Sequence, residues 1–309
     1  MRLVRSTILF LLILVGAPAA WADGFSRFQD LLLARGKADM IRFGSGSSLG
    51  PDGFVLENVV VTPPEDMIEP GKVPVKPMPT RIERVTVETI DFDSIARDKP
   101  PLFVRARLEG IALDGKAAPD GVMRKYLGAD LAMADVSIAY RLDAASRVFE
   151  LTQLEINLRG LTRLTLALTI DGVAPDAIDA PSNAGAASLR SASLTIDDAS
   201  LAARLIRALA EDEGVSPEQQ ADTLVQTVLM MVSGEGPVTQ SAAQTVAAFL
   251  RDWQRPRGPL SIVLKPGGGV TFGELGAINK AEDAMKALGL VVTYAGAAAA
   301  PQPPAPDKK

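Results

Sequence analysis

Residues Arg147–Gly172 read RVFELTQLEINLRGLTRLTLALTIDG. Leu154, Ile156 and Leu158 alternate with Glu155, Asn157 and Arg159. Leu164, Leu166, Leu168 and Ile170 alternate with Thr165, Ala167, Thr169 and Asp171. A period of two sends alternate side chains to opposite faces, so the stretch predicts half-buried antiparallel strands with one apolar and one wet face. The breaks at Arg159-Gly160 and Asp171-Gly172 suit hairpin turns.

The same pattern extends towards the N-terminus. Leu102, Val104, Ala106 and Leu108 alternate with Phe103, Arg105, Arg107 and Glu109, and Val136, Ile138, Tyr140 and Leu142 alternate with Asp135, Ser137, Ala139 and Arg141. Ser188–Ile196 reads as a further strand. Asp39–Phe43 and Phe54–Val61 read as a hairpin around the loop Gly44–Gly53. Ahead of them, Phe25, Phe28, Leu31 and Leu32 sit at helical spacing, which predicts a short amphipathic helix. The run 63–79 is rich in proline, which fixes φ and removes a donor, so it is an extended loop. Residues 172–187 form a second loop.

The period changes near Asp198. Leu201, Leu205 and Leu209 are four residues apart, and Gly214 is a stop signal. Ser216-Pro217-Glu218-Gln219 reads as a capping box with proline at the first helical position. Leu224, Val225, Val228, Leu229 and Val232 give that helix its apolar face. A third helix carries Ala242, Val246, Phe249, Leu250 and Trp253. Leu260–Leu264 reads as a strand, Leu275–Leu288 as a fourth helix and Leu290–Tyr294 as a last strand. The expected fold is therefore α+β: a long, curved antiparallel meander followed by a mainly helical part packed on it. In domain terms, residues 1–22 are a signal peptide, 23–197 a β-rich domain with a short N-terminal helix, 198–296 a mainly helical α+β part, and 297–309 an Ala/Pro tail expected to be disordered.

The signal peptide rests on Arg2 and Arg5, the apolar run Ile8–Val15, the breakers Gly16 and Pro18, and the A-x-A site Ala20-Trp21-Ala22. The apolar run is shorter than the about 20 residues of a membrane span. Cleavage after Ala22 implies a periplasmic or secreted protein. The absence of cysteine fits an oxidising compartment.

Composition excludes whole classes of chemistry. With no cysteine and no histidine among 309 residues there is no disulfide framework, no Cys/His zinc site, no Cys nucleophile, no haem held by either residue and no Ser-His-Asp triad. Lys and Arg number 32 against 37 Asp and Glu, so the footprint of a nucleic-acid binder is missing.

The remaining motifs each have a plain structural alternative. Gly46-Ser47-Ser48-Leu49-Gly50 matches G-x-S-x-G, but without a histidine and inside a hairpin loop it reads as a turn. Lys265-Pro266-Gly267-Gly268-Gly269 could cradle an anion, yet lacks phosphate-loop spacing and reads as a Gly-rich turn. Asp91/Asp93 and Asp197/Asp198 could hold a divalent cation, or cap helices. No cofactor and no metal site is expected.

Val228-Leu229-Met230-Met231-Val232 is wider than one helical stripe. It reads either as a lipid- or partner-contacting helix or as one buried between neighbours. The ligand-contact candidates are accordingly Leu229, Met230 and Met231, with Phe249 and Trp253 on the following helix. The Phe25/Phe28/Leu31/Leu32 stripe could likewise touch a membrane peripherally.

Gly53–Val61 (GFVLENVVV), Leu102–Gly115 (LFVRARLEGIALDG) and Arg147–Gly172 are aliphatic strands ending in turn glycines. In this the strand-rich part resembles periplasmic β-rich envelope proteins of the AsmA-like, lipid-handling kind. The resemblance implies a long curved sheet whose apolar concave face shelters acyl chains. The expected function is a non-catalytic periplasmic envelope protein that binds lipid or another apolar ligand. The alternatives are a structural or interaction protein of the envelope, contacting a partner protein through residues 63–79 or the tail, and a carboxylate-based hydrolase.

Overall fold

A computed structural model describes residues 23–62, 78–114, 122–128, 131–175 and 185–297. The expected signal peptide (1–22), the proline-rich run 63–77, part of the 172–187 loop and residues 298–309 lie outside them. Among the described residues, twelve strands form one sheet, and every pairing in it is antiparallel. The fold is α+β, with the helices concentrated in the C-terminal part.

The chain opens with helix α1 (Gly24–Ala34), capped by the Asp23 carboxylate on the Ser26 N–H at 2.9 Å. Strands β1 (Ile41–Arg42) and β2 (Ser45–Ser48) both pair with β3 (Phe54–Val61). The expected hairpin loop is therefore itself half strand. Small side chains allow this: the Phe25 ring of α1 lies where a Cβ on Gly46 would stand, 2.1 Å from its nearest atom. Ser47 of the G-x-S-x-G stretch sits in that strand, and the Ser48 hydroxyl donates to the Gly50 carbonyl at 2.8 Å.

The meander continues through β4 (Thr80–Ile90), β5 (Phe103–Asp114), β6 (Leu131–Asp143), β7 (Val148–Leu158), β8 (Thr162–Asp171) and β9 (Ser188–Asp198), each strand beside the next. Helix α2 (Phe92–Ala96) follows β4, with Asp91 capping it through the Ser94 N–H at 3.0 Å. Helix α3 (Val122–Leu127) joins β5 to β6.

Register shifts interrupt the ladder at Val87/Thr89, Leu108/Ile111, Leu151/Leu154 and Thr169/Ile170. An extra residue at a bulge bends the strand and reverses the odd–even count. Here the reversal keeps apolar side chains on one face, so that Val87 and Ile90, or Leu108 and Ile111, stay together although they are an odd number of residues apart. Gly110 takes the β5 bulge because its φ of 65° and the Glu83 side chain packed against it leave no room for a Cβ.

Asp198 starts helix α4 (Leu201–Glu213), its Oδ1 accepting from the N–H groups of Leu201 and Ala202 at 3.1 and 3.2 Å. Burial raises the pKa of Asp198 against those two donors, which favour the charged form. Gly214 ends α4 in the left-handed region at φ 66°. The capping box of Ser216 and Gln219 opens α5 (Pro217–Met231), and α6 (Pro237–Arg251) follows. Strand β10 (Leu260–Leu264) then returns beside β9, β11 (Val270–Thr271) pairs with the start of β9, and β12 (Leu290–Thr293) pairs with β10. The helical part is thus stitched into the same sheet.

The single helix expected over Leu275–Leu288 is two: α7 (Phe272–Ala277) and α8 (Ala281–Ala287). Thr271 and Glu274 form a capping box that starts α7 early, and Ile278 turns extended at ψ 120°. Glu282 then anchors α8 to another helix. Its carboxylate accepts from the Thr239 N–H and hydroxyl, each at 2.9 Å, and from the Val238 N–H at 3.3 Å. It therefore caps α6, whose own cap residue is Gly236 and offers no side chain.

Burial would raise the Glu282 pKa, but Thr239, Lys286 and Val238 outweigh it and hold the group at about 2, against an ordinary 4.5. A depressed carboxylate contributes stability at pH above its unfolded value and loses it as pH falls towards the folded one. Glu282→Gln is expected to lower Tm at pH 7. Because only the wild type loses this contribution on acidification, the gap should close between pH 4.5 and 2; a gap independent of pH would show that the charge is not what anchors α8.

Candidate functional site

The sheet carries one unbroken apolar face. Following the register, Leu56, Val85, Leu108, Val136, Ile156, Leu164, Ile196 and Leu260 form one cross-strand row from β3 to β10. Ala106, Ile138, Leu154, Leu166, Leu194, Ile262 and Val292 form the next. The opposite face of the same strands carries Arg107, Ser137, Glu155, Thr165, Thr195, Ser261 and Thr293 in register.

Two sets of helices cover the ends of the apolar face. Over β3–β5, Phe28, Leu31 and Leu32 of α1 join Phe54, Leu56, Val85 and Val87, and the rings of Phe28 and Phe54 stack with centroids 4.3 Å apart. Over β9, β10 and β12, Phe249 of α6 packs with Leu260 and Tyr294, meeting the Tyr294 ring edge-on at 5.3 Å, with Ile196 and Val292 beside them.

Between these covers the floor is open apart from Leu151 of β7, which is buried opposite Leu168. Of β7 and β8, Leu158 alone packs against either cluster among the described residues. Leu154, Ile156, Leu164, Leu166 and Leu168 are half-buried, in the same range as Thr165 and Thr169 on the wet face. The start of α4 meets one end of these strands. The Leu201 N–H donates to Leu161 O at 3.2 Å and the Ser200 hydroxyl to Gly160 O at 2.9 Å, at the β7–β8 turn. Further along, Arg204 bonds the Leu127 carbonyl and Asp212 pairs with Lys125, both on α3. The floor itself offers no ionisable side chain. Its chemistry is shelter for aliphatic surface, worth about 25 cal/mol for each Å² removed from water.

A family model described as "Uncharacterized protein" matches residues 155–295. No curated protein matches the chain. The matched span starts within β7 and ends beyond β12, taking in β8 of the open floor together with β9–β12 and α4–α8.

The candidates from sequence fall in three places. Met230 and Met231 are 69% and 77% exposed at the end of α5, beside a half-buried Leu229. Phe249 is buried against the sheet. Trp253 is buried elsewhere, against Ala203 and Ile206 of α4 and Ala221 of α5, with the Arg207 guanidinium 5.5 Å from its ring centre. The structure does not bring these five together. Phe28, Leu31 and Leu32, the stripe with a membrane reading, are in the core. The floor leucines were legible as strand residues; their standing as a site appears only once the covers are seen to stop short of them.

One member of each carboxylate pair holds a helix end, while Asp93 pairs with Arg27. Asp91 bonds the N–H groups of Ser94 and Leu102, and Asp198 caps α4. A concavity of about 530 Å³ lies between the start of α5 and the end of α6 and is lined chiefly by charged groups.

Proposed function

We propose that this is a non-catalytic periplasmic envelope protein that shelters the acyl chains of a lipid on the open floor of its sheet. The observation that supports the reading is the row Ile138, Leu154, Leu166 and Leu194, aliphatic and half-buried between two helical covers. Monomeric soluble proteins rarely leave a contiguous apolar patch of this kind unoccupied. Aliphatic rows running across β6–β9 suit an acyl chain lying on the sheet. The leader sequence, with cleavage after Ala22, supports the compartment, and among the described residues no helix is long and apolar enough to cross a membrane. The exposed Met230 and Met231 offer an adaptable apolar tip for peripheral contact with a membrane surface.

The test is native mass spectrometry of residues 23–309 purified from periplasm without detergent, followed by extraction. A stoichiometric adduct that extracts as phospholipid or fatty acid is the expected result. A bare protein mass, with no rise in Tm on adding lipid, would overturn the reading.

A further inference from the structure

We infer that the charged cleft between α5 and α6 binds a small zwitterion, a molecule carrying both an ammonium and an anionic group. This site is separate in chemistry from the apolar floor. Its volume of about 530 Å³ lies in the range of small-molecule sites. Glu218 and Asp222, one turn apart on α5, line it with carboxylates; Arg251 and Arg255, around the end of α6, line it with guanidiniums. Trp253 lies at the base of the cleft, its ring packed against Ala203, Ile206 and Ala221.

Within the cleft these opposite charges, all on exposed side chains, do not meet. Several guanidiniums of this protein do pair directly: Arg159 with Asp135 at 2.7 Å, Arg190 with Asp171 at 2.5 Å, Arg27 with Asp52 at 2.9 Å. Asp252, at the cleft edge, is already held by Arg257 at 3.0 Å and by the Tyr294 hydroxyl at 2.8 Å. Among the described residues, Arg251, Arg255 and Asp222 have no ion-pair partner. Glu218 accepts only from the neutral Gln254 amide, at 3.3 Å.

Opposite charges that line one cavity and stand too far apart to pair leave a place for a molecule that pairs with both. An anion alone would meet two carboxylates, and a cation alone two guanidiniums; a zwitterion is matched at each wall. Guanidinium forks suit a carboxylate or a phosphate, so the source is either an amino-acid-like molecule or a phosphoethanolamine-like one.

Isothermal titration of residues 23–309 with glycine, phosphoethanolamine, ethanolamine and inorganic phosphate separates these cases. One of the two zwitterions is expected to saturate a single site, with ethanolamine and phosphate at least about tenfold weaker; which zwitterion binds better identifies the source. The Glu218→Gln/Asp222→Asn and Arg251→Gln/Arg255→Gln variants are each expected to weaken it by about tenfold or more, with Tm and far-UV circular dichroism unchanged. No saturable binding of either zwitterion, equal binding of the single-charge probes, or binding by either variant as tight as wild type would overturn the inference.

Discussion

Leu166→Glu is expected to abolish the lipid adduct while leaving the protein folded. Leu166 stands in the middle of the open floor, opposite Leu154 on β7 and Leu194 on β9. A carboxylate there would face only aliphatic neighbours once a chain covered it, because the register places Ile138, Leu154, Leu194 and Ile262 along the same row. Enclosing an unpaired charge costs at least about 3 kcal/mol, which is more than about 100-fold in Kd. Without ligand the new carboxylate remains wetted, since Leu166 is only half-buried, and the expected loss in Tm is small. Thr165→Glu is the matched control. Thr165 is the next residue on the same strand but points to the opposite face, between Glu155 and Thr195. It should bind lipid as wild type does. If both variants lost the adduct alike, or neither did, the leucine face would not be the binding surface.

That face was largely readable from the chain, because β6, β8 and the second half of β7 run for many residues without interruption and keep a clean period of two. Strand β4 shows where the signal fails. Ile82, Val85, Val87 and Ile90 are spaced by three, two and three residues, which matches neither a strand nor a helix. All four are buried in the core, because irregularities along β4, including the shift at Val87/Thr89, return each of them to the same side. The bulge at Val87/Thr89 depends on pairing with the neighbouring strand and, unlike the Gly110 bulge on β5, is marked by no glycine. Helix α7–α8 failed for a related reason. The break at Ile278 is set by Glu282 reaching the start of α6, a contact made across more than forty residues of chain. The cleft was equally hidden: Glu218 and Asp222 meet Arg251 and Arg255 only because α5 and α6 fold back on one another. Local apolarity marks Met230 and Met231, but it does not say which helical face a neighbour will take, and both stand exposed.

The largest loss of stability is expected from Phe54→Ala. Phe54 is the fourth ring of a five-membered aromatic chain. Phe25 meets Phe43 edge-on at 5.8 Å, Phe28 approaches Phe43 at 6.4 Å and stacks on Phe54 at 4.3 Å, and Phe54 reaches Phe92 at 6.3 Å. One side chain on β3 therefore joins α1 to α2 as well as to the sheet. Truncating a buried phenylalanine costs about 3–5 kcal/mol in lost transfer energy and residual cavity. For a chain of this size that is a fall in Tm of roughly 10 °C. Neighbours are poorly placed to collapse into the space. The backbone of α1 is held against β3 where Gly24 meets Gly53, with no room for a Cβ on either, and the Gly24 N–H donates to Gly50 O at 2.9 Å. Leu166→Glu and Phe54→Ala thus separate the two uses of one apolar face. Where a helix covers it, substitution should cost stability and leave lipid binding in the surviving folded protein. Where no helix covers it, substitution should cost binding and spare the fold. Thermal denaturation and native mass spectrometry of both variants measure the two losses side by side. A Phe54→Ala protein as stable as wild type would mean that α1 is not held by this stack.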